Sequence, residues 1–173
     1  QRAMADAQLP EMAREKIRDI IGLGLREAIQ RLLPDESDDV YLALVDRYRY
    51  HFFADDPCEP FEGAESVLRQ LNEQGYLLAV ATGKGRRGLD RVLQSTGFGG
   101  YFIETRCADD TCSKPDPQMS HEIMNVTGME SAQTLMIGDT EYDLEMANAA
   151  KMASVGVDYG VHSRERLLSC GPL

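Results

Sequence analysis

From Gly63 onward the chain alternates between short apolar runs and amphipathic stretches of about ten residues, and no other feature limits its fold as sharply. The apolar runs occupy residues 76–81, 101–105, 135–137 and 154–157, and helical patterns occupy 64–74, 86–95, 117–126 and 143–152. Strands joined through such helices cannot form hairpins, because each crossover returns the next strand in the same direction. The expected fold is therefore α/β, a parallel sheet built from βαβ units. Gly75 and Gly97 stand where the first two helices should stop.

Residues before Gly63 follow another pattern. Ile17, Ile20, Ile21, Leu25, Ile29, Leu32 and Leu33 recur at helical spacing, which predicts a helix over 8–33, broken near Gly22 and Gly24 and closed by Pro34. A second helix over 38–53, capped by Ser37, places Val40, Leu44, Val45, Tyr48 and Phe52 near one face. Residues 1–58 thus read as an all-helical unit and 59–173 as the α/β unit, with 58–63 as the linker. A formal charge of −11 argues against nucleic acid and anionic membranes as partners, since both are held by basic patches, though a compact anion can still bind locally. No apolar run reaches the length of a membrane span and no signal-peptide pattern opens the chain, so the expected location is cytoplasmic. Cys58, Cys107, Cys112 and Cys170 lack paired metal-ligand spacing and are expected as reduced thiols. Nothing in the pattern specifies an oligomeric state.

The strongest chemical signal is the stretch 134–143. Leu135, Met136 and Ile137 suit a buried parallel strand that ends at Gly138 and presents Asp139 at its carboxyl end, with Asp143 one helical turn further. Such a carboxylate pair suits a hard cation such as Mg²⁺, although a helix cap at Asp139 and a dipole-stabilising Asp143 explain the same residues. Thr82, with the amides of Gly83 and Lys84, offers donors for an anion after an earlier strand; a simple tight turn is the plainer account. Lys114 lies in Ser-Lys-Pro-Asp-Pro, where two prolines stiffen the loop and can aim its ammonium at the sheet edge, or leave it as an exposed lysine in a rigid turn. A hydroxyl, a cation and an acidic metal site on successive units describe one phosphate pocket.

This ordered set resembles the haloacid dehalogenase superfamily, and more narrowly its phosphoglycolate phosphatase-like and β-phosphoglucomutase-like members with a helical cap. Residues 81–83 look like the family's second motif, 114–117 its third and 138–143 its fourth, while the helices before Cys58 match its cap. The resemblance implies a Rossmann-like parallel core, a small phosphorylated metabolite as substrate and Mg²⁺ as cofactor. It implies that Thr82, beside the Gly83 and Lys84 amides read above as anion donors, binds the transferring phosphoryl group and that Lys114 neutralises it. Asp139 would then ligate the metal, with Asp143 as ligand or support.

The family's first motif, an Asp-x-Asp-x-Thr after an apolar strand, is absent. Asp6 has no apolar strand before it and Asp19 falls within helical periodicity, so neither is expected as the nucleophile. The first central strand is thus missing, the expected parent carries about twenty further N-terminal residues, and the chain alone is expected to be inactive. In the parent, the resemblance implies a Mg²⁺-dependent phosphatase working through an aspartyl phosphate. Two alternatives stand beside it: a phosphosugar mutase on the same scaffold, and a non-catalytic binding or regulatory protein. Gly138 tilts the choice toward hydrolysis, because the family's mutases often carry an acidic residue there.

Overall fold

The computed structural model describes residues 1–54 and 59–173. Four helices form the N-terminal part: α1 (Arg2–Asp6), α2 (Arg14–Asp19), α3 (Leu25–Leu32) and α4 (Asp38–Ala54). The single helix expected over 8–33 is divided. Gln8 takes a positive φ of 56° and Pro10 follows, so the first turn ends early; Gly22, at φ 114°, interrupts the second half. Residues 20–24 become a loop, and that loop reaches the functional rim. Ala3, Met4 and Leu44 form the buried centre of this part, flanked by Ile29, Leu33 and Val40, as the helical spacing requires. The unit boundary drawn at Cys58 lies outside the described residues.

The α/β part runs α5 (Ala64–Glu73), β1 (Leu78–Thr82), α6 (Arg86–Thr96), β2 (Phe102–Cys107), α7 (Gln118–Thr127), β3 (Leu135–Gly138), α8 (Glu141–Ala149), β4 (Ala153–Gly156) and α9 (Arg164–Ser169). All pairing is parallel, as the alternation requires. The strands nevertheless form two separate pairs, β1 with β2 and β3 with β4, rather than one sheet. Thr82 registers opposite Cys107, and Gly138 opposite Gly156, so both pairs end together at their carboxyl edges.

β1 and β3 each have one hydrogen-bonded neighbour among the described residues and therefore one open edge. The carboxyl halves of both strands line the same cavity, which places the open edges on a common space. This arrangement corrects the expectation of a fully buried strand at 135–137: Leu135 and Ile137 are exposed, Ile137 by 57%. Alternate side chains of a strand share a face, and a parallel strand is normally covered on both. Beneath the other face, Met136 packs on Met124, Ala147, Ala150 and Met152, so the methionines serve as core.

Candidate active site

Three segments build the rim at the carboxyl ends of β1 and β3. The first is the turn after β1. Thr82 Oγ1 accepts the Lys84 N–H at 3.2 Å, which closes the turn before α6 begins. A Cβ on Gly83 would lie 2.5 Å from the carbonyl oxygens of both Gly22 and Leu23, so only glycine lets the 20–24 loop cross at this distance. Asp109 braces the start of α6 by accepting the Arg86 N–H at 2.7 Å.

The second segment carries Lys114, whose peptide to Pro115 is cis. Its side chain is buried and its Nζ donates to Asp143 Oδ1 at 2.5 Å. The ammonium is thus aimed inward, not left in solvent.

The third segment is the β3–α8 junction. Thr140 caps α8, and its N–H and hydroxyl donate to Asp143 Oδ2 at 3.1 and 2.6 Å. Gly138 makes this closure possible, because a Cβ there would sit 2.3 Å from the Asp143 Cβ. Both oxygens of Asp143 are therefore engaged, one by Lys114 and one by Thr140. Asp139 differs: its Oδ2 accepts the Val161 N–H at 2.9 Å, while no hydrogen bond to Oδ1 occurs among the described residues. A Cβ on Gly160 would lie 2.2 Å from that same Oδ2, so the 158–162 loop fits closely around Asp139.

Thr82, Gly83, Lys84, Lys114, Asp139 and Asp143 all line one cavity of about 1570 Å³. Ligand pockets usually measure roughly 300–1,000 Å³, so this space exceeds what a small metabolite fills. Magnesium takes one or two protein carboxylates and completes its shell with water and phosphate oxygens. The donor set fits that demand through Asp139. Asp143 fits better as the group that holds Lys114 and the first turn of α8, and no cluster of three His, Cys, Asp or Glu occurs among the described residues.

Several neighbours were not legible as site residues. Ser113 accepts the Gly24 N–H at 2.7 Å and ties the 20–24 loop beside Lys114. His162 is buried, stacks edge-on against Tyr142, and accepts the Glu141 N–H on Nδ1 at 3.0 Å. Burial, aided by the Arg166 guanidinium, holds its imidazole below the usual range and favours the neutral ring this acceptor role needs. Glu141 is held below its usual carboxylate range mainly by hydrogen bonds from Arg166. A ring that accepts from a backbone amide and a stacked tyrosine leave no spacing signature in a sequence. Arg26 of α3 lines the same cavity and is paired with Asp38 at 2.8 Å.

The family model for haloacid dehalogenase-like hydrolases matches residues 1–157. The chain is 35% identical to a probable phosphatase, IndB, of Dickeya dadantii, covering 98% of this chain and 76% of that protein. It is 26% identical to a phosphoglycolate phosphatase of Mesorhizobium japonicum, covering 94% of this chain and 74% of the relative. Among solved structures, a predicted phosphoglycolate phosphatase from Haemophilus somnus superposes with a TM-score of 0.85 at 23% identity, over 98% of this chain and 80% of its own. A predicted phosphatase from Clostridium acetobutylicum gives 0.86 at 23%, over 99% and 80%. At that identity the two structures speak for the fold alone.

Proposed function

This chain belongs to the haloacid dehalogenase-like hydrolase family, and from that premise we propose that it forms the cap (1–58) and core (59–173) of a phosphatase for a small phosphorylated metabolite. The observation that carries the reading is the convergence of Thr82, Lys114 and Asp139 on one cavity at the shared carboxyl rim of β1 and β3. The Thr82 hydroxyl and the amides after it would fix the phosphoryl oxygens, and the Lys114 ammonium would offset their charge. Asp143 pairs with that ammonium at 2.5 Å and aims it inward until a phosphate shares it. Asp139 would hold Mg²⁺, which when bound supplies positive charge to the equatorial oxygens.

The nucleophile of this reading is an aspartate at the end of a strand seated between β1 and β3. Two open parallel edges on one oversized cavity support that placement, since unpaired backbone groups there need partners. Five strand residues would fill roughly half of the space and leave a pocket of ordinary size. Attack by that carboxylate forms an aspartyl phosphate and expels the alcohol, and water then releases phosphate. A phosphosugar mutase is disfavoured by Gly138, where Asp143 leaves no room for an acidic side chain.

Hydrolysis of a panel of phosphomonoesters with Mg²⁺ tests the proposal. The 173-residue chain should be inactive, and the protein expressed from its complete reading frame active, with activity lost in Asp139→Ala. Turnover by the 173-residue chain itself would place the nucleophile elsewhere.

A further inference from the structure

The loop at 20–24 crosses the phosphate turn as a strap tied at both ends. Between its ties, the carbonyls of Gly22 and Leu23 press against Gly83. At one end the Gly24 N–H is bound to Ser113, next to Lys114. At the other end stands Asp19, the last residue of α2, and here part of the fastening is ionic. The Arg166 guanidinium donates from Nε to Glu141 Oε2 at 3.0 Å and from Nη2 to Glu141 Oε1, while its Nη1 reaches Asp19 Oδ1 at 2.5 Å. Glu141 opens α8, two residues before Asp143. The Tyr142 hydroxyl donates to the Asp19 carbonyl at 2.7 Å, and the Arg18 guanidinium to the Val161 carbonyl at 3.0 Å.

We propose that Arg166 is a positioning residue that clamps the 20–24 loop over the phosphate pocket by bridging Asp19 and Glu141, and that the site opens when this clamp releases. The inference rests on reading the Thr82 rim as a phosphate site. A planar guanidinium suits the task because its fork grips one carboxylate with two nitrogens and leaves a third for another partner. Arg166 and Asp19 are 34% and 43% exposed in their side chains, whereas the Gly24 tie is part-buried and neutral. Exposed ion pairs weaken with salt more than part-buried neutral hydrogen bonds do, so salt loosens the Asp19 end first and leaves it on the Tyr142 and Arg18 bonds alone. The same residue also steadies the first turn of α8, which carries the partner of Lys114.

Hydrogen exchange at single-residue resolution on the protein expressed from its complete reading frame tests the clamp. Arg166→Met should speed exchange at Ile21 and Leu23 by roughly two- to fivefold while amides inside α4 keep their rates. Asp19→Asn should reproduce the effect, and the double variant should add little to either single change. Arg166→Lys should restore protection only in part, since an ammonium does not span both carboxylates. Rising salt should accelerate loop exchange in the unmodified chain and leave Arg166→Met unaffected. Unchanged loop exchange in Arg166→Met, or equal acceleration throughout α4, would overturn the proposal. Inorganic phosphate separates this result from the underlying reading: failure to protect the amides at 82–85 would remove the phosphate site and leave the exchange evidence for the clamp standing.

Discussion

Removing Asp143 should be far more damaging than its size suggests. Asp143→Ala strips the buried Lys114 ammonium of its counter-charge at 2.5 Å and leaves the Thr140 N–H and hydroxyl without their acceptor. Both members of the ion pair are under a tenth exposed, so water cannot take over without rearrangement. Breaking one side of a buried pair costs about 3–5 kcal/mol, while replacing both sides with apolar groups is often close to neutral. The expected order of stability is therefore wild type, then Lys114→Met/Asp143→Leu, then Lys114→Met, then Asp143→Ala. The chain has no tryptophan, so urea unfolding is best followed by far-ultraviolet circular dichroism. With a slope of roughly 1–3 kcal/mol per molar urea, Asp143→Ala should lower the midpoint by about 2 M. Phosphate adds a second signature. Lys114 in Asp143→Ala is free to pair with an added anion, so inorganic phosphate should raise its midpoint more than that of the unmodified chain. Additive losses in the double variant would refute the buried-pair argument.

Three further outcomes follow from the same geometry. Gly83→Ala forces a Cβ to within 2.5 Å of two carbonyl oxygens and should cost about 1–3 kcal/mol, read in the same urea experiment. Iodoacetamide at mildly alkaline pH should label exposed Cys112 well before Cys107 in peptide mapping, because burial and then the Asp110 bond push the Cys107 thiol up. Burial pulls the Asp110 carboxyl upward, but bonds from Cys107 and Arg86 outweigh it and hold the group below its usual range. Its contribution to stability is therefore present above about pH 4 and lost as pH falls through the lowered folded value. Melting temperatures from pH 6 down to pH 3 should show Asp110→Asn less stable than the unmodified chain at the upper end, with the gap closing on acidification.

Much of this architecture was legible because it is local. The strand and helix alternation after Gly63 carries its own periodicity, and Thr82, Lys114 and Asp139 stand at segment ends where the chain must turn. Asp143 was legible as part of the rim, but not its bond to Lys114, which joins residues 29 positions apart. The division of the first long helix was hidden because Ile20 and Ile21 continue the apolar spacing through a segment that Gly22 unwinds. The role of Asp19 was hidden for the same reason. It sat within helical periodicity, and only the fold brings it to Arg166, 147 residues away. Ile137 shows the opposite error. Its apolar character predicts burial, yet its face of β3 is left uncovered by the described residues.

The most direct measurement is a titration of the isotopically labelled 173-residue chain with inorganic phosphate, followed by amide shifts in nuclear magnetic resonance. Coincident saturating shifts at 82–85, around Lys114 and at Asp139 and Thr140 are expected, with the first two groups weakened together in Lys114→Met. Shifts confined to one of these segments, or centred on another face of the molecule, would contradict a single phosphate pocket.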